Sequence, residues 1–284
     1  MSMITLETPD ELRRASREQR RCGRRIALVP TMGALHSGHL SLVQAARRRA
    51  DWIVLSLFVN PAQFGPNEDL DAYPRDLEGD RRVAEEAGVD VLYHPAVEAI
   101  YPPGDATRVR VSRLTEGLCG PWRPGHFEGV STVVTKLLAA CEADVAVFGR
   151  KDYQQWRVIQ RMTRDLALGT EIVGAPIVRE ADGLALSSRN RYLSPTERTA
   201  ALALPRALEA GEAAVRAGET GATVVIRRMR EVVNAQPGVT AEYLEIVDAH
   251  ELQALSILQG EILLAGALRV GPARLIDNRE MKIP

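Results

Sequence analysis

Two short apolar runs, with a glycine-bearing loop and a helical pattern between them, limit what this chain can fold into more than any other stretch. Arg24–Pro30 closes on a proline and Trp52–Val59 is apolar almost throughout, so each reads as a strand buried on both faces. Between them, Thr31-Met32-Gly33-Ala34-Leu35-His36-Ser37-Gly38-His39 leads into Leu40, Leu42, Val43, Ala45 and Ala46 at helical spacing. Strand, loop, helix and strand in that order make a βαβ unit. Its right-handed crossover makes it the start of an α/β, doubly wound parallel sheet.

The same alternation continues more coarsely. A helix is expected over Pro9–Gln19, and further helices over Arg81–Ala87, Val130–Ala140 and Trp156–Leu166. Strands are expected over Val89–Tyr93 and Asp144–Phe148, with Glu171–Val178 extended. After Asn190 the texture changes. Ser194-Pro195-Thr196-Glu197 reads as a capped start of one alanine-rich helix reaching about Arg216. A helix near Gly221–Asn234 follows, with strands near Ala241–Val247, Glu261–Val270 and Ala273–Ile276. The expected organisation is a sheet domain over residues 1–176 and a smaller C-terminal α+β domain over 177–284.

Composition excludes several functions. The chain has 284 residues, 45% hydrophobic and 26% charged, as a packed globular protein does. Its 36 cationic and 37 acidic side chains leave a net charge of -1, so no overall field draws in nucleic acid or an anionic membrane. Cys22, Cys119 and Cys141 show no zinc-ligand spacing and suit a reducing compartment. No apolar run reaches the roughly 20 residues that cross a bilayer, and the N-terminus lacks a signal-like apolar block, so a cytoplasmic protein is expected.

Four stretches carry chemistry. In His36-Ser37-Gly38-His39, three-residue spacing puts both imidazoles on one side of a first helical turn. Gly33 and Gly38 would let a ligand approach the backbone, and outward amides with two neutral donors suit a phosphate. A zinc reading lacks a third ligand nearby, and the glycine spacing is not GxGxxG. The second stretch is Gly149-Arg150-Lys151-Asp152-Tyr153-Gln154-Gln155. Lys151 stands out because Lys136 and Lys282 are the only other lysines, and a compact ammonium suits phosphate oxygens. Third, Leu186-Ser187-Ser188-Arg189 offers hydroxyls and a guanidinium able to tighten on a leaving pyrophosphate. Fourth, Asn60 and Gln63 in Phe58-Val59-Asn60-Pro61-Ala62-Gln63-Phe64 offer neutral amides. Just beyond lie Asp69, Asp71, Asp76 and Asp80, among which Asp80 is the expected magnesium ligand.

Taken in register, VPTMGALHSGHLSLV, FVNPAQF, DLDAYPRDLEGD, HFEGVSTVVTKL, FGRKDYQQ and READGLALSSRNRYLSP resemble the pantothenate synthetase family of HxGH nucleotidyltransferases. The resemblance is dense from Ile26 to Leu193 and thin thereafter. It implies a Rossmann-like sheet and a two-step ligase: pantoate and ATP give pantoyl adenylate and pyrophosphate, and β-alanine then displaces AMP. By motif, Met32, Gly33, Ala34, Leu35, His36, Ser37, Gly38 and His39 would contact ATP, with His39 catalytic and His36 its partner on the phosphates. Gly149, Arg150, Lys151, Asp152, Val178, Leu186, Ser187, Ser188 and Arg189 would complete the nucleotide site. Lys151, Ser188 and Arg189 would act on the charge that develops. Gln63 and Gln155 would hold pantoate, with Asn60 beside them. Arg150 stands where the family more often has Glu or Gln, and Leu186 where Met is commoner. The resemblance also implies a homodimer and a C-terminal domain that covers the nucleotide. The alternatives are another HxGH nucleotidyltransferase of coenzyme biosynthesis, which would ignore β-alanine, and a nucleotide-binding regulator without catalysis.

Overall fold

The computed structural model describes residues 3–66 and 68–283. Along the chain run β1 (Ile4–Leu6), α1 (Pro9–Arg21), β2 (Ile26–Thr31), α2 (Ser37–Arg47), β3 (Trp52–Leu57), α3 (Leu77–Glu86), β4 (Val91–Tyr93) and α4 (Val97–Ile100). Then follow α5 (His126–Cys141), β5 (Val145–Gly149), α6 (Tyr153–Asp165), β6 (Glu171–Ala175), α7 (Pro195–Ala201), α8 (Ala203–Arg216), α9 (Ala222–Asn234), β7 (Val239–Asp248), β8 (Glu261–Val270) and β9 (Ala273–Lys282). Two compact units emerge. The first comprises Met1–Val111, Arg123–Arg150 and Gln155–Pro176; the second comprises Ser112–Trp122, Lys151–Gln154 and Ile177–Pro284.

The first unit is built on a parallel sheet of order β1-β4-β3-β2-β5-β6. Ala27 and Val29 of β2, Ile53 and Leu55 of β3, and Val145 and Val147 of β5 share one apolar cluster with Leu42, Val43 and Ala46 of α2 and Ala84 of α3. The alternate residues, Leu28 and Val54 among them, are equally buried. α1 and α5 pack on each other and on β2, so the sheet is covered on both faces, and its strands read as continuous apolar runs for that reason. From β2 the chain steps through β3 to β4 on one side, then returns to β5 on the other side of β2. Loops leaving the carboxyl ends of β2 and β5 therefore diverge, and open α/β sheets bind ligands at such a point.

The second unit holds the antiparallel sheet β7-β8-β9, with α8 and α9 packed on it. A Cβ at Gly211 of α8 would lie 2.8 Å from the Leu264 side chain, so glycine sets the close approach of helix to strand. The two short segments join this unit through Gln154. Its carboxamide donates to the carbonyls of Leu114 and Gly117 at 2.9 and 2.8 Å and accepts from the Cys119 amide at 2.9 Å. Asn278 Nδ2 further donates to the Lys151 carbonyl at 3.0 Å.

Several elements differ from expectation. The helix expected to run from Ser194 to Arg216 is two helices with a turn at Leu202. Pro205 explains the break, because it has no N–H to offer the Ala201 carbonyl and its ring crowds that position. The cap itself is as expected: Ser194 Oγ accepts from the Glu197 amide at 3.3 Å and Glu197 Oε2 from the Ser194 amide at 2.8 Å. α5 begins four residues earlier than Val130, and β9 extends through Lys282 rather than stopping at Ile276. No helix is long and apolar enough to cross a membrane among the described residues.

Candidate active site

The loop after β2 is fixed from two directions. Thr31 Oγ1 donates to the Ser56 carbonyl at 2.8 Å, tying the end of β2 to β3. From α3, the buried carboxylate of Asp80 accepts from the Ala34 amide through Oδ2 at 2.8 Å and from the Leu35 amide through Oδ1 at 2.7 Å. Gly33 has φ +92°, and a Cβ there would sit 2.8 Å from Asp80 Oδ2, so the position needs glycine for its dihedral and for the space. The structure makes Asp80 a loop anchor, each of its oxygens accepting one backbone N–H, and corrects one expectation. The Ala34 and Leu35 amides point to that anchor instead of outward, and the Leu35 side chain packs in the core.

His36 is the N-cap of α2. Its Nδ1 accepts from the Gly38 amide at 3.1 Å, while His39 Nδ1 accepts from the His36 amide at 3.3 Å. The two imidazoles make a reciprocal capping box and stack with centroids 4.1 Å apart. A ring nitrogen that accepts an amide N–H carries no proton, so each ring has its hydrogen on Nε2. Two neutral donors, fixed in tautomer by the helix they cap, sit at the carboxyl edge of a central strand.

Beside them lies the Pro61–Gln63 turn. Gln63 Nε2 donates to Met32 Sδ at 3.2 Å and Gln63 Oε1 accepts from Asn60 Nδ2 at 3.0 Å. Asn60 is buried, and its remaining capacity goes to the Gly129 carbonyl, the Ala62 amide and the Tyr101 hydroxyl, at 3.2, 3.2 and 2.8 Å. With every polar bond spent inside the protein, Asn60 orients Gln63 and does not bind substrate itself, contrary to expectation. Gly149 ends β5, Gln155 lies on α6, and both are partly exposed. Arg150 turns to the Gly174 carbonyl at 3.1 Å and lies over the Trp156 ring at 5.1 Å.

The remaining expected residues belong to the second unit. Val178 and Leu186 are brought together in a tight hairpin, where the Leu186 amide donates to the Val178 carbonyl at 2.9 Å. Arg179 anchors that hairpin through two bonds to buried Asp277, at 2.6 and 2.9 Å. Neither Arg179 nor Asp277 was expected to matter; Arg179 opens the READGLALSSRNRYLSP stretch and Asp277 lies where the resemblance is thin. Ser187 Oγ caps the short helical turn Ser188–Tyr192 by accepting from the Arg189 amide, and Ser188 is buried. Lys151 Nζ lies 3.4 Å from Asp152 Oδ2. Lys136, by contrast, is structural: it donates to the Ile100 carbonyl, pairs with Asp105 and lies over the Tyr101 ring. Among the described residues no group of three or more His, Cys, Asp or Glu side chains is gathered to hold a metal ion.

A doubly wound parallel sheet whose histidine loop opens a helix at the carboxyl edge of a central strand defines the class, an α/β enzyme of the nucleotidyltransferase type. Within that class the chain belongs to the pantoate-beta-alanine ligase family, whose model matches residues 4–280. It is 53% identical over 281 residues to the pantothenate synthetase of Moorella thermoacetica, covering 99% of each chain. A crystal structure of pantothenate synthetase from Thermus thermophilus matches with a TM-score of 0.93 at 48% identity, over 98% of this chain and 99% of that one. The Francisella tularensis pantoate-beta-alanine ligase, complexed with beta-gamma ATP and beta-alanine, matches with a TM-score of 0.78 at 32% identity, over 98% and 97%.

Proposed function

We propose that this chain performs its family's reaction, condensing pantoate with β-alanine at the expense of ATP, with the following residues in the following roles. A carboxylate oxygen of pantoate attacks the α-phosphorus of ATP, the bond to the bridging oxygen breaks, and pyrophosphate leaves. The amine of β-alanine then attacks the acyl carbon of pantoyl adenylate, gives up a proton and displaces AMP. The observation that carries the reading is the pair of imidazoles whose Nδ1 atoms are occupied by backbone amides. That tautomer puts the proton of each ring on Nε2, the atom that would donate to a phosphate oxygen without adding charge.

His39 and His36 donate to the phosphates, while Lys151, Ser188 and Arg189 offset the charge that grows on the leaving pyrophosphate. Met32, Gly33, Ser37, Gly38, Gly149, Arg150, Asp152, Val178, Leu186 and Ser187 line the nucleotide. Gln63 and Gln155 hold pantoate by neutral amides, because the acid must be oriented toward a triphosphate that already repels it. Holding the two anions in line can remove about 7 to 11 kcal/mol of barrier in favourable cases. Magnesium would travel with the ATP phosphates, and no step is routed through a metal. The reading includes a homodimer in the cytoplasm, and sedimentation equilibrium returning the mass of one chain would remove the dimer.

Pyrophosphate release from ATP on adding pantoate alone, followed by AMP release on adding β-alanine, tests the whole reading. Release that ignores β-alanine would favour another nucleotidyltransferase. His39→Ala and Lys151→Ala should each lower adenylate formation by about 100-fold or more at unchanged melting temperature. Near-normal pyrophosphate release in either variant would withdraw that residue's role.

A further inference from the structure

The segment that opens α5 has no part in the chemistry described so far. His126, the first residue of that helix, is buried, with Nδ1 2.9 Å from the Gln63 carbonyl and Nε2 2.9 Å from Arg123 Nη1. A carbonyl only accepts and a guanidinium only donates. The proton therefore sits on Nδ1 and the lone pair on Nε2, which fixes one neutral tautomer. Arg123 is itself held by Glu68 through two parallel bonds, Nε to Oε1 and Nη2 to Oε2, both 2.6 Å. Burial pushes the Glu68 carboxyl up, but the Arg123 pair more than offsets this and holds it below the usual carboxylate range.

The chain of contacts Glu68, Arg123, His126 thus ends on the main chain of Gln63, behind its carboxamide. α5 also lies directly on the turn, since a Cβ at Gly129 would sit 2.1 Å from the Ala62 carbonyl oxygen. We propose that His126 is a positioning residue for the organic acid. By donating to the Gln63 carbonyl it fixes the turn and aims the carboxamide, while Arg123 and Glu68 hold the ring in the tautomer that can donate. This rests on the reading of Gln63 as a pantoate-holding residue.

Steady-state kinetics of the full chain with His126→Phe, His126→Asn and His126→Gln separates the two bonds of the ring. Asparagine places a donor where Nδ1 stood, whereas glutamine reaches only the Nε2 position. Phenylalanine should raise the KM for pantoate about tenfold and leave the KM for ATP within about twofold, the loss of one buried hydrogen bond. Asparagine should restore most of the pantoate KM and glutamine should not. An unchanged pantoate KM in His126→Phe overturns the proposal. So does equal damage by asparagine and glutamine with the ATP KM and melting temperature moving together, which would make His126 merely structural. Gln63→Ala run in parallel tells the two readings apart. If it leaves the pantoate KM unaltered, the role of Gln63 itself falls; if it raises that KM while His126→Phe does not, only the positioning role falls.

Discussion

Asp80 shows how one side chain can decide the shape of the loop that carries two histidines. Its two oxygens take the Ala34 and Leu35 amides that the glycine-rich sequence suggests for a phosphate, so the proposed function leaves phosphate recognition to the imidazoles. Asp80→Asn would turn one acceptor into an amide group facing an N–H donor. The expected result is a rise in the KM for ATP of about tenfold or more with the fold retained, read by pyrophosphate exchange. An unmoved KM would mean the loop holds its shape by other means. The two histidines and the lysine stand out in the sequence because their residue types are unusual for their surroundings, whereas the serine-arginine pair gains weight only beside them. Asp80's partners were not legible, since residues 34 and 80 meet only through the packing of α3, and a carboxylate in an acidic stretch looks like any other. For the same reason Asn60 read as a binder: nothing local shows that Tyr101 and Gly129 exhaust it.

Strands and helices were legible where a pattern is local and long enough. β2, β3 and β5 announce themselves as apolar runs, whereas β1 has three residues and too little pattern to register. The polar end of β9, Asp277 to Lys282, reads as loop until the ten-residue pairing with β8 is seen. Pro205 did carry the signal for the break at Leu202, but the good cap at Ser194 and the alanine-rich run outweighed it. The start of α5 was missed because Gly125 and Gly129 flank His126, and glycines argue against a helix by propensity. Gly129 is there for the close approach to the Pro61–Gln63 turn. Gly129→Ala should therefore cost about 1–3 kcal/mol of stability, as overpacking does, and should also raise the KM for pantoate. A denaturation midpoint equal to that of the parent protein would show that α5 can shift without consequence.

Stability of the sheet-bearing unit as a whole has a pH limit set by buried acids that stay protonated. Burial pushes the Cys141 thiol and the Tyr101 phenol each up to about 12, from ordinary values of 9.0 and 10.0. Both folded values lie above the unfolded ones. The stabilisation is thus complete below about pH 9 and is withdrawn as pH rises toward 12, because the unfolded chain gives up these protons first. Urea midpoints should hold steady to about pH 9 and decline from there to pH 12. A flat profile over that window would contradict the burial. The division into two units was partly legible as a change of texture after Asn190. That Ser112–Trp122 and Lys151–Gln154 belong with the C-terminal part was not, because it depends on where the Gln154 carboxamide and Asn278 find partners.

The reciprocal box at the head of α2 has one more consequence. Each imidazole seals the first turn of that helix and, in the proposed function, also meets the nucleotide, so a nucleotide that tilts either ring must loosen the amide of Gly38 or of His36. Fraying of the helix and occupancy by ATP become a single linked equilibrium, and deuterium uptake at those two amides would report, cycle by cycle, which way it stands.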